Sequence, residues 1–137
     1  MAALTLTAAN LDGTLVGALF LDGVVLAANM TAGLVVYKDT NNQIAVATLS
    51  SQAASQVLGI YANTAANAGQ PAVYWGNGTV ITGFPTLVAG TPYYLGSAGA
   101  IIPFADLTTG NWMTQVGYAY STSSFMVQIT IQNLQKA

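Results

Sequence analysis

Charge is what this chain has least of. Only 4% of its 137 residues are charged, against about 25% in ordinary soluble domains. There is no arginine, glutamate, histidine or cysteine; the ionic side chains are Asp12, Asp22, Asp39, Asp106, Lys38 and Lys136. Each absence excludes a chemistry. Without cysteine there is no disulfide framework and no thiolate metal site. Without histidine or glutamate, general acid–base work falls to isolated aspartates or lysines. Without arginine, and with a net charge of −2, the clustered cations that hold nucleic-acid phosphates are missing. No enzyme activity, catalytic residue, cofactor or metal is therefore expected.

Long hydrophobic runs are missing too, although 53% of residues are hydrophobic. The longest, TLVGALFLDGVVLAA, is interrupted by Asp22-Gly23 and falls short of the ~20 residues a spanning helix needs. Outer-membrane strands are longer and more regular than those seen here. No basic stretch precedes an apolar one at the N-terminus, so neither an export signal nor a membrane partner is expected. The two glycosylation-type triplets, Asn29-Met30-Thr31 and Asn77-Gly78-Thr79, are read as accidental. A surface this poor in charge favours association, and permanent interfaces are themselves depleted in charge. Large contacts with further copies of the chain, or with a scaffold, are expected.

What is present is a repeat. AGLVVYKDTNNQIAVA (Ala32 to Ala47) and AGTPYYLGSAGAII (Ala89 to Ile102) both read strand, turn, strand. Gly59 follows Gly33 in VLGIYANT, and Gly117 follows Gly90 at nearly the same spacing in QVGYAYST. Asp22-Gly23 precedes the first unit as Asn77-Gly78 precedes the second. Landmarks recurring in one order indicate an internal duplication, with pseudo-repeats at about 15–70 and 71–132.

No segment keeps a helical period, so the chain reads as all-β: an antiparallel sandwich or barrel, jelly-roll-like, of about ten short strands. Residues 1–11 form an N-terminal arm or edge strand that could dock on a neighbour, and 12–137 a single domain. Hairpins are expected around Asp22-Gly23 (Leu15 to Leu21 with Val24 to Ala28), around Asp39 to Asn42, around Asn77-Gly78 (Pro71 to Trp75 with Thr79 to Thr82) and around Gly96 to Gly99. Leu49 to Gln56 reads as a loop or a single helical turn. In FMVQITIQ, Phe125, Val127, Ile129 and Ile131 share one face and Met126, Gln128, Thr130 and Gln132 the other.

The polar candidates read as structural. Asp22 and Asp39 suit turns, as do Asp12 and Asp106. Ser50, Ser51 and Ser55 lack an activating base. Asp39-Thr40-Asn41 opens like a calcium loop but lacks its later glycine and glutamate. Tyr74, Trp75, Tyr93, Tyr94, Trp112, Tyr118 and Tyr120 could stack on sugars, though aromatics more often pack cores and interfaces.

The order of segments Gly33 to Ala47, Val57 to Gln70, Leu87 to Phe104 and Val116 to Ile129 resembles the bacteriophage capsid decoration (cement) proteins and related β-rich modules of phage head and tail fibres. The resemblance implies an all-β homo-oligomer, often a trimer. It would be assembled in the host cytoplasm and seated on the outer capsid surface of the virion, clamping neighbouring major capsid protein subunits. The alternative it carries is a fibre or appendage module that binds a host receptor or glycan through exposed aromatics.

Overall fold

The computed structural model describes residues 3–14 and 18–137. Among these residues eleven strands form two sheets: β1 (Asp12–Thr14), β2 (Ala18–Leu26), β3 (Val35–Lys38), β4 (Gln43–Val46), β5 (Val57–Tyr61), β6 (Pro71–Trp75), β7 (Val80–Thr82), β8 (Pro92–Leu95), β9 (Ile101–Pro103), β10 (Trp112–Ala119) and β11 (Ser124–Gln135). The only helical pieces among the described residues are three-residue 3₁₀ turns, one of them at Ala53–Ser55 in the segment read as a loop or single turn. β2-β4-β3-β5-β6 closes into a barrel, and β1-β7-β11-β10-β8-β9 forms an open sheet. β2 to β6 thus make the barrel, and β7 to β11 make the open sheet together with β1. One pairing, β2 with β4, is parallel.

The two sheets share one plan. The order β4-β3-β5-β6-β2 in the barrel matches β9-β8-β10-β11-β7 in the sheet, with antiparallel neighbours throughout. The glycine landmarks occupy equivalent places. Gly33 donates its N–H to the carbonyl of Tyr61 at the end of β5 (3.0 Å), and Gly90 donates to Ala119 at the end of β10 (2.8 Å). Gly33 and Gly90 both have a left-handed φ, +100° and +82°. At Gly59 the ladder skips Leu58, and at Gly117 it skips Val116, so each central strand bulges at the same step.

Two hairpins form as read. In β3–β4, Asp39 Oδ1 accepts the N–H groups of Asn41 (2.9 Å) and Gln43 (3.0 Å), and Asn42 takes φ +60°. In β8–β9 the reversal places Ala98 at φ 51°, ψ 47° ahead of Gly99 at φ +75°. A left-handed alanine costs about 1–2 kcal/mol, and asparagine tolerates that region better. Ala98→Asn, exposed at the turn, is expected to raise stability by about 0.5–1 kcal/mol, read from urea unfolding; a loss of stability would contradict the turn geometry.

Two expected hairpins do not form. Asp22-Gly23 lies inside the continuous strand β2; the part of that expectation on Leu15 to Gly17 is outside the described residues. Leu21 faces Ala72 and Val25 faces Pro71, so three residues bulge from the ladder. Beyond the bulge Val25 and Leu26 pair with Gln43 and Ile44 of β4. The bulge therefore redirects the strand and closes the barrel, a use of bulges at barrel rims.

Asn77-Gly78 does make a turn, with Thr79 N–H bonded to Gly76 O (3.2 Å). Only Gly78 has a positive φ there, whereas a type I′ hairpin turn needs two. β6 thus stays in the barrel and β7 enters the other sheet, which moves the boundary between the two units from residue 70 to the 75–80 crossover. Asp22-Gly23 follows the first β6-paired stretch of β2 whereas Asn77-Gly78 precedes β7, so the two Asx-Gly pairs are not counterparts.

One core joins the sheets. Val35, Val57, Ile60 and Trp75 of the barrel pack against Ile81, Tyr93, Leu95, Val116, Phe125 and Val127. The barrel interior holds a second cluster, including Leu26, Val36, Ile44 and Tyr61. In β11 the alternation holds for Phe125 and Val127 and then gives out: Ile129 is half-buried and Ile131 exposed. β7 covers β11 only along Ser124–Met126, so the far half of the strand has no such neighbour to bury it.

Candidate binding surface

The polar residues singled out in the sequence are engaged locally. Ser51 Oγ accepts Ala54 N–H (3.2 Å), and buried Ser55 donates to Gln52 O (2.7 Å). Ser50 Oγ lies 3.4 Å from Thr48 Oγ1. Asp39 is spent on its own turn. Asp12 is not a turn residue but a strand residue opposite Thr82. Asp22 lies in β2, and Asp106 lies in a 3₁₀ turn at Phe104–Asp106. Among the described residues no three acidic side chains come together, and no helix is long and apolar enough to cross a membrane.

The aromatic set mostly packs inward. Trp75, Tyr93 and Tyr94 are buried, and Tyr74, Trp112 and Tyr118 are half-buried. Tyr120 alone of the seven is exposed, at 59%. Phe104, absent from that set, is 49% exposed. Its ring meets Tyr94 edge-on with centroids 5.4 Å apart, and the Lys136 amino group lies 5.5 Å above it. A sugar platform built from the predicted aromatics is therefore not assembled. That agrees with the reading that aromatics on short strands more often pack cores than bind sugars.

A cleft of about 450 Å³ opens beside the barrel and is lined by Asn29, Met30, Thr31, Leu34, Asn67 and Gln70, among others. Its amides partly hold the loop itself: Asn29 Oδ1 accepts Ala68 N–H (2.9 Å) and Gln70 Oε1 accepts Asn67 N–H (2.6 Å). No aromatic ring lines it.

Within the barrel the Tyr61 hydroxyl is fully buried without a hydrogen-bond partner of good geometry. Burial pushes its pKa above the usual 10.0, with Asn63 partly offsetting this. The folded state thus favours the neutral phenol, and its contribution to stability fades as pH rises past 10.0. Tyr61→Phe is expected to be neutral or stabilising by about 1 kcal/mol and to reduce the alkaline loss. Urea unfolding at neutral pH and above pH 10.0 checks both; a variant less stable than wild type would show that the hydroxyl is bonded.

The remaining distinctive surface is apolar and split between two ends of the β10–β11 hairpin. At the closed end Val88 and Tyr120 are 63% and 59% exposed. Their neighbours are joined by main-chain bonds, Leu87 N–H to Thr122 O (2.8 Å) and Gly90 N–H to Ala119 O (2.8 Å). At the open end Leu134 is 61% and Ile131 36% exposed. The eight residues of β10 separate these ends by about 25 Å at ~3.3 Å per residue. Sequence reasoning named Tyr120 only as a sugar-stacking candidate and Ile131 only as part of a strand face, and did not single out Val88 or Leu134; their exposure depends on where neighbouring strands stop.

Comparison with known proteins gives no match: no family model matches the chain, and neither a curated protein nor a solved structure does.

Proposed function

We propose that this chain is a structural protein of a phage virion. It forms a homo-oligomer, a trimer by the resemblance above, that decorates the outer capsid surface and cements the shell by bridging neighbouring major capsid subunits. The observation that carries this reading is the pair of exposed apolar ends on one β-hairpin. A bridge needs two separated adhesive sites on one body, and β10–β11 is the most extensive strand contact among the described residues. The scarcity of charge supports it as well, since little electrostatic desolvation opposes burial of such ends. The driving force would be apolar burial across subunit boundaries.

Co-sedimentation with heads that lack the protein tests this reading. Wild type is expected to pellet with the particles. Tyr120→Asp and Leu134→Asp are each expected to weaken binding at least tenfold, because a carboxylate would be buried unpaired. Both side chains are exposed, so folding should be spared. Undiminished binding by the double variant, or no binding by wild type, would contradict the proposal.

A further inference from the structure

The two sheets meet the same closure problem in different ways. In the barrel, β2 leaves β6, crosses to β4 and seals the sheet. In the second sheet the equivalent strands β7 and β9 are not paired with each other. Residues 3–14 take the place of that seal. At one side Leu4 donates its N–H to the carbonyl of Ile101 on β9 (3.0 Å). At the other side Asp12, Gly13 and Thr14 pair with Thr82, Ile81 and Val80 of β7. Between them Leu4, Leu6, Ala8 and Leu11 lie against the shared core.

The body is shaped to receive this segment. Gly13 lies so close to the Trp75 indole that a Cβ would collide with the ring. Gly83, at φ +88°, lies so close to the Asn10 carbonyl that a Cβ would collide there. A groove this specific has one evident occupant, the segment itself. The grip is nevertheless light. None of the residues from Ala3 to Gly13 is fully buried, and Ala3, Thr5 and Thr7 alternate outward with Leu4 and Leu6 inward. Among the described residues one main-chain bond holds the β9 side and a three-residue ladder the β7 side.

We infer that residues 3–14 are a clasp exchanged between copies, the clasp of one chain closing the second sheet of the next. The inference rests on the homo-oligomeric part of the function proposed above and identifies the contact that builds the oligomer. Exchange of an identical segment reproduces every contact it makes within one chain, so no new complementary surface is required. Adding an extended segment to a sheet edge is a recurrent mode of recognition, and with so few charges little repulsion opposes the approach of two copies.

Asp12 and Thr82 are exposed partners on β1 and β7, and the chain contains no cysteine. Asp12→Cys and Thr82→Cys chains are co-expressed, sized by light scattering, oxidised and resolved without reductant, with emission of the buried Trp75 confirming the fold. The expected result is an oligomer whose two variants are joined by an interchain disulfide, several times above an Asn41→Cys plus Thr82→Cys collision control. An oligomer without that link, when the double variant in one chain links only to itself, overturns the exchange and leaves the oligomer standing. A monomer overturns both.

Discussion

Gly117→Ala is expected to cost about 3 kcal/mol or more, enough to threaten folding of a domain with ordinary stability. Gly117 sits at the β10 bulge, where a Cβ would collide with the Met126 carbonyl and reach within 2.7 Å of the Phe125 ring. A backbone oxygen in a ladder cannot step aside as the end of a flexible side chain can. Gly90→Ala is the informative partner. Gly90 differs from Gly117 in having a left-handed φ, +82°, with nothing within 4 Å of its added Cβ, so only the conformational cost of about 1–2 kcal/mol applies. Urea midpoints at constant m-value separate the two. Equal losses would mean that close approach at the bulge is not what reserves position 117 for glycine.

Phe125→Ala is expected to cost about 3–5 kcal/mol. The ring is fully buried, stacked on Phe84 with centroids 4.9 Å apart, and 6.2 Å from Tyr93. Its strand position faces Ile81 of β7 and Ala119 of β10, within the core that joins barrel and sheet. Truncation leaves a cavity among rigid neighbours, which collapses poorly. Phe125→Leu should recover more than half of the loss in the same unfolding measurement. A cost near 1 kcal/mol for the alanine variant would mean that the core shared by the two sheets contributes little.

The parts of the fold legible in the sequence are those set by local chemistry or by spacing. Asp39 to Asn42 and Gly96 to Gly99 reverse the chain because Asn42 and Gly99 accept left-handed backbone, with Ala98 held there at a cost. Gly33, Gly59, Gly90 and Gly117 mark equivalent places because only glycine permits the close approach or the φ required there. Asp22-Gly23 and Asn77-Gly78 misled for the opposite reason. Such a pair signals a turn or bulge, but the strand the chain meets next is a long-range matter. Barrel closure depends on Val25 and Leu26 meeting Gln43 and Ile44, and no window around Asp22 contains that contact. The face of β11 was readable as far as Val127 and not at Ile131, because burial beyond that point depends on where β7 ends. The sequence set the N-terminal arm apart but held no sign of the groove on its own chain that residues 3–14 occupy.

Thermal stability of the particle tests the proposed role most directly. Heads lacking the protein are incubated with increasing amounts of it, and their melting is followed by release of packaged DNA. A cement that binds the assembled shell and not free subunits stabilises it by mass action. The account therefore predicts a melting temperature that rises with occupancy and levels off at saturation. Saturating occupancy with no change in melting, or no binding to the heads, would contradict it.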